Sequence, residues 1–315
     1  MTDLAGLYPQ GKVILREVGL RDGLQISNGF PTTAGKVEWL RREYDAGVRH
    51  FEAGSFLPAN RYPQFADIRT IVAALSNLDE AHAIALGINQ RGQSDALASG
   101  VGELTCVLSA TEEHNQANAG CSRLETLDAI SKTVELRDRS SHKPLINVGI
   151  AMSFGCSIAG PVDPDQVVGL AEQCFERGAD LVGIADTVGY AGPRQVADLC
   201  RKMSRLCANR PYLVHLHDTR GTAIANAAAA LDNGARIFDA SLGGLGGCPF
   251  APGASGNIVM EDLAYLCRTM GFATGIDLDK LIGVRDILKR EMPDEPLHGA
   301  VARSGLPEPS LWEAA

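Results

Sequence analysis

The residues best suited to chemistry in this chain are His215 and His217, within His215-Leu216-His217-Asp218-Thr219. They close an apolar run, Tyr212-Leu213-Val214. Side chains two apart on a strand face the same way, so both imidazoles can converge on one point. Neutral imidazole is also the commonest metal ligand among side chains. A hydrogen-bonded histidine pair at a strand end is the alternative. Against it stand polar groups at the ends of other apolar runs: Glu17, Arg21, Asp22, Gln25, Glu52, Asp186, Thr187 and Asp239. Two imidazoles and a carboxylate on neighbouring strand ends suit a divalent metal with positions left open for substrate. Asp22, in the loop beyond the first run, is preferred over Glu17 as that carboxylate.

Positioning these groups requires a particular architecture. Short β-branched runs alternate with longer amphipathic segments along the chain. The runs are centred on Val13-Ile14-Leu15, His50-Phe51-Glu52-Ala53, Ala81 to Leu86, Glu103 to Leu108, Leu145 to Met152, Leu181 to Ala185, Leu213 to His217 and Ile237 to Ala240. Helical patterns follow them, near 33–46, 62–75, 95–98, 122–139, 164 onward, 193–207, 223–231 and 259–270. Asp163-Pro164 reads as a cap and first turn. The stretch from Glu112 to Gly120, rich in Glu, His and Asn, reads as a loop. Eight strand–helix units predict a parallel (β/α)8 barrel, a TIM barrel of the α/β class, with active-site groups at the C-terminal strand ends. The barrel accounts for residues 1–271, and 272–315 are expected to form a C-terminal extension packed on it.

Composition narrows the function classes. Hydrophobic residues make up 45%, enough for a large core, while Lys+Arg 29 against Asp+Glu 38 gives a net charge of -9. That balance argues against a nucleic-acid surface. The eight cysteines, at 106, 121, 156, 174, 200, 207, 248 and 267, form no Cys-x-x-Cys pair. Most are expected to be buried thiols in a reducing compartment. No apolar run is long enough to span a bilayer, so a soluble cytoplasmic protein is expected. Cys248 differs, lying in the Gly-rich stretch Gly243-Gly244-Leu245-Gly246-Gly247-Cys248-Pro249. Such loops can act as lids that bring a thiol to a site.

Taken together, these segments resemble 3-hydroxy-3-methylglutaryl-CoA lyases, within a metal-dependent TIM-barrel lyase superfamily. Glu17-Val18-Gly19-Leu20-Arg21-Asp22-Gly23-Leu24-Gln25 is similar to that family's opening signature, and His215 to Thr219 to its metal motif. The cysteine loop, running on through Gly253-Ala254-Ser255-Gly256-Asn257, resembles its active-site loop. Glu52-Ala53-Gly54-Ser55-Phe56 and Gly183 to Gly189 match as well. The resemblance covers about residues 12–285.

The resemblance implies that Asp22, His215, His217 and Asn257 bind Mg²⁺ or Mn²⁺. It implies that Arg21 steadies an enolate oxygen and that Cys248 transfers a proton. Gln25, Glu52, Ser55, Asp186 and Thr187 are read as substrate contacts. The reaction implied is cleavage of 3-hydroxy-3-methylglutaryl-CoA to acetyl-CoA and acetoacetate by a homodimer or larger homo-oligomer. Asp22 and His215 both remain open as the base. The chain departs from the pattern at Ile26-Ser27-Asn28, at Gly54 and at Gly155-Cys156-Ser157-Ile158. These positions follow strands one, two and five, so a related 3-hydroxyacyl-CoA such as citramalyl-CoA is the alternative substrate. A non-catalytic CoA-ester-binding relative is the third reading.

Overall fold

The computed structural model describes residues 4–208, 210–246 and 256–308. Eight strands pair in chain order: β1 (Ile14–Glu17), β2 (His50–Ser55), β3 (His82–Leu86), β4 (Glu103–Ser109), β5 (Leu145–Ala151), β6 (Leu181–Asp186), β7 (Tyr212–Leu216) and β8 (Ile237–Ala240). Every pairing is parallel, and β8 returns to β1 to close the barrel.

Alternation along each strand separates two cores. Ile146, Val148 and Ile150 of β5, Val182 and Ile184 of β6, and Val214 and Leu216 of β7 face outward and are buried with the surrounding helices. The intervening residues face the barrel axis. At the N-terminal end Leu145, Leu181, Leu213 and Ile237 pack with Tyr8 and seal the floor. On the β1–β4 side the interior is polar. Arg16 Nη1 donates to Glu103 at 2.8 Å, Tyr8 donates to the same carboxylate at 2.6 Å, and His82 Nε2 lies 3.2 Å from it. A buried carboxylate is tolerable only with such partners. They also lower Glu103 to about 2 against the effect of burial.

Helix starts follow the sequence signals. Asp163 Oδ1 accepts from the Asp165 amide ahead of helix Pro164–Glu176, and Ser122 with Glu125 forms a reciprocal cap on Arg123–Arg139. One expectation is corrected: Glu112–Ala119 is a helix, not a loop. Thr111 caps it and Gly120, at φ 73°, ends it. Its low apolar content hid it, since only Asn115 is buried.

Beyond residue 271, helix Leu278–Glu291 lies beside helix Thr33–Asp45, where Arg42 Nη2 donates to the Gly283 carbonyl at 2.7 Å. Arg285 Nη1 bonds Glu261 Oε1 at 2.7 Å and the His298 carbonyl at 2.8 Å. Among the described residues no helix is long and apolar enough to cross a membrane.

Candidate active site

A π-helical turn, Gly19–Gly23, follows β1 directly. Single π turns are rare and recur at functional sites; here the turn carries Arg21 and Asp22 to the barrel mouth. Glu17 anchors it from below, its carboxylate accepting from the Gly19 amide at 2.6 Å and the Leu242 amide at 3.0 Å. Glu17 is wholly buried and has no share in the mouth. The preference for Asp22 over Glu17 therefore agrees with the geometry.

His215 ends the inward face of β7, and His217 follows one residue past the strand. The segment 256–259 threads between the ends of β7 and β8: Asp218 N donates to Gly256 O, Ile258 N to Leu216 O, and Ser241 N to Ile258 O. This pairs Asn257 with His217 as an isolated bridge. Close approach here requires Gly246, at φ 99°, because a Cβ would sit 2.6 Å from the Asn257 amide nitrogen.

The four side chains meet at one point. His217 Nε2 is 3.0 Å from His215 Nε2 and 3.4 Å from Asp22 Oδ2, and His215 Nε2 is 3.9 Å from that oxygen. Asn257 Nδ2 donates to Asp22 Oδ2 at 2.7 Å, while its buried Oδ1 has no hydrogen-bond partner. Two adjacent ligands at right angles on bonds of about 2.1 Å would lie roughly 3.0 Å apart, as the two imidazole nitrogens do. Asp22, His215 and His217 thus form a group able to hold a divalent metal, with the Asn257 side chain set against Asp22 through Nδ2.

Electrostatics favour this arrangement. Burial would raise Asp22, yet the Arg21 guanidinium and then His217 hold it well below the usual carboxylate range. Burial would lower His215, but its bond to Asp239, Nδ1 to Oδ2 at 3.1 Å, and the charge of Asp22 raise it. That bond leaves Nε2 for the cluster. Asp239 is paired in turn with Arg16, whose Nε is 3.0 Å from Oδ1. Arg21 donates from Nε to Glu52 Oε2 at 2.6 Å and from Nη1 to Asp22 Oδ1 at 2.5 Å, with Gln25 Oε1 at 3.4 Å. Burial raises Glu52 despite that cation.

These groups open onto a cavity of about 340 Å³ inside the barrel mouth. Arg21, Asp22, Gln25, Glu52, Thr187, His215 and His217 line it. Two expected substrate contacts do not. Ser55 follows an irregularity in the β2–β3 pairing and donates to the Leu86 carbonyl instead. Asp186 lies on the outward parity of β6, and its carboxylate accepts from the Tyr190 and Ala191 amides. Cys248 lies outside the described residues. Six of the other cysteines are buried, and burial pushes Cys106, Cys174, Cys200, Cys207 and Cys267 up to about 12. Thiols held this far from ionisation are poor nucleophiles.

Sequence reasoning missed several lining residues: Arg16, Thr105, His114, Asn118, Asn147 and Gly149. The period-2 pattern of β4 and β5 could have flagged Thr105, Asn147 and Gly149. Thr111 and Gly120, as helix caps, could have flagged His114 and Asn118.

A parallel eight-stranded barrel with an arginine beside a two-histidine, one-aspartate cluster at its C-terminal mouth defines a barrel enzyme with a candidate divalent-metal centre. Residues 12–288 match the HMGL-like family model. The (R)-citramalyl-CoA lyase of Chloroflexus aurantiacus is 38% identical over 96% of this chain and 98% of its own length. The hydroxymethylglutaryl-CoA lyase of Bacillus subtilis is 35% identical over 90% of this chain and 94% of its own. An HMG-CoA lyase of Acinetobacter baumannii, solved with coenzyme A and 3-methylmalate, superposes with a TM-score of 0.86 at 34% identity, covering 93% of this chain and 95% of that one. This chain belongs to the HMGL-like family, and it is a carbon–carbon lyase.

Proposed function

We propose that this enzyme cleaves 3-hydroxy-3-methylglutaryl-CoA to acetyl-CoA and acetoacetate with Mg²⁺ or Mn²⁺ held by Asp22, His215, His217 and Asn257. The observation that carries the reading is the placement of Arg21, fixed by Glu52 and Asp22 against the histidine pair inside the cavity. The bound cation would make the substrate hydroxyl more acidic by Lewis-acid polarisation. Asp22 or His215 takes that hydroxyl's proton. A ketone then forms at C3 as the C2–C3 bond breaks, and the released electron pair becomes the thioester enolate. Arg21 faces the developing enolate oxygen, where a preorganised donor acts most strongly. The enolate carbon is finally protonated, the role that family resemblance gives Cys248. Gln25, Glu52 and Thr187 contact the acyl group. Residues 272–315 form the extension to a barrel of residues 1–271, and the enzyme works as a cytoplasmic homo-oligomer.

Identity of 38% to a citramalyl-CoA lyase favours a second reading, cleavage of citramalyl-CoA to acetyl-CoA and pyruvate. One coupled assay separates the two, following acetoacetate and pyruvate from both thioesters with and without a chelator. Chelator-sensitive acetoacetate release supports the first reading. Pyruvate release alone overturns it and leaves the catalytic roles intact. Silence on both thioesters rejects both.

A further inference from the structure

One wall of the cavity lacks the side chains a barrel interior normally carries. Inward positions in these barrels are filled mostly by bulky branched residues. On β5 and β6 those facing the cavity are Asn147, Gly149, Ala151, Gly183 and Ala185. At Gly183 packing accounts for the glycine, since a Cβ would come within 3.1 Å of Leu213 Cδ2. At Gly149 it does not. Its φ is outside the left-handed region, and a Cβ there would meet only the Cys106 carbonyl oxygen, at 3.9 Å. Glycine weakens a strand interior, and one that neither backbone nor packing demands often marks where a ligand comes close.

The polar atoms below give an independent sign. Asn147, two residues earlier on the same face, is fully buried, and its Oδ1 has no hydrogen-bond partner. Its Nδ2 reaches only Thr105 Oγ1, at 3.4 Å. A buried amide left half satisfied beside a cavity calls for a polar atom from a ligand. Strand register pairs Val107 with Gly149, Gly149 with Gly183 and Gly183 with Leu213, and two residues earlier it pairs Thr105 with Asn147 and Asn147 with Leu181. The recess therefore has apolar sides, with the Asn147 amide beneath Gly149 on the same strand face.

We propose that this recess is a subsite for a branch larger than methyl on the hydroxyl-bearing acyl carbon, an aliphatic chain with a polar tip that meets Asn147. Two residues of strand span about 6.6 Å, which suits roughly four or five chain atoms. The inference rests on the acyl-CoA reading above.

The test is calorimetric titration of the full chain, loaded with Mn²⁺, using uncleavable 3-deoxy thioesters. The probes are 3-methyl-, 3-propyl- and 3-(3-hydroxypropyl)glutaryl-CoA. Each well-fitted methylene in an apolar pocket is worth about tenfold or more. The hydroxypropyl ester is expected to bind at least tenfold more tightly than the methyl ester. Gly149→Val should lower the propyl-to-methyl affinity ratio at least thirtyfold, and Gly149→Ala, whose Cβ fits the space, should lower it part-way. Asn147→Leu should remove the hydroxypropyl ester's advantage over propyl. Methyl binding as tightly as both longer esters in the unaltered enzyme would overturn the subsite while sparing the acyl-CoA reading. Failure of all three esters to bind would overturn both.

Discussion

Arg21 makes two different bonds with one planar group, Nε to Glu52 and Nη1 to Asp22. Nη1 also reaches Gln25 Oε1 at 3.4 Å, which leaves Nη2 to meet charge that develops during reaction. A lysine at this position would be a point cation unable to reproduce that geometry. Arg21→Lys is therefore expected to lower kcat by about a hundred- to a thousandfold, the usual loss for one oxyanion donor. KM should change by less than about threefold on the same reasoning, because the interaction belongs to the transition state. Steady-state kinetics showing a raised KM at unchanged kcat would remove Arg21 from this role. Asp239 acts on a neighbouring atom. Its bond to His215 Nδ1 sets which nitrogen faces Asp22, and Arg16 holds it in place. Loss of such an orienting carboxylate typically weakens metal binding about 10–100-fold. Asp239→Asn should show that loss in a Mn²⁺ titration, with an unaltered circular-dichroism spectrum. Sequence made the pair His215 and His217 visible because strand alternation needs only local spacing. The Arg16–Asp239 link was not visible, since it joins strands that meet only when β8 closes onto β1.

At the scale of elements, the π turn after β1 is held by carboxylates placed out of reach of solvent. Burial pushes Glu43, on helix Thr33–Asp45, well above the usual carboxylate range, with the neighbouring charge of Glu17 adding to the effect. Glu17 is itself raised to about 8, by burial that outweighs the favourable amides of Gly19 and Leu242. The pair therefore keeps a proton when folded that it would lose when unfolded at neutral pH. A folded state that binds more protons loses stability as pH rises. That loss runs from the ordinary carboxylate value, near 4.5, up through about 8. Thermal melts should accordingly show Tm falling between pH 5 and pH 8.5, and Glu43→Gln should flatten the slope. An equal slope in the variant would assign the pH dependence elsewhere. The strand-end signature marked Glu17 as a polar group but could not separate it from Asp22 by type. What separates them is direction: Glu17 ends a strand and turns to backbone amides, while Asp22 rides a π turn whose single extra residue leaves no periodic trace. Helix Glu112–Ala119 was hidden for the opposite reason. Its ends are well marked by Thr111 and Gly120, but its faces are almost uniformly polar.

Across the whole molecule, eight units of apolar strand and amphipathic helix were legible because each outward strand face must be covered by a helix. The cavity was not: alternation along β5 sets Asn147 and Gly149 opposite Ile146, Val148 and Ile150, but which side chains from other strands they face follows only from barrel closure. The same closure predicts a fold that does not depend on an ion. The strands pair completely around the ring, and the floor is sealed by Leu145, Leu181, Leu213 and Ile237. A metal at the mouth should therefore add to stability without creating it, unlike small domains that unfold when stripped. At a free concentration a hundred times its Kd, a ligand that binds only the folded state adds about 2.7 kcal/mol. Unfolding entropy of about 2.1 cal/mol/K per residue converts this, for a chain of 315 residues, to a rise in Tm of roughly 4 °C. Chelation should reverse the shift and leave a cooperative transition and a native far-ultraviolet spectrum. Asp22→Asn should retain the transition and lose most of the shift, because the charged member of the donor set is gone while its shape remains. Collapse of the secondary structure on chelation would mean that the ion is a structural support of the barrel. A full shift in Asp22→Asn would move the binding site away from the β1 and β7 ends.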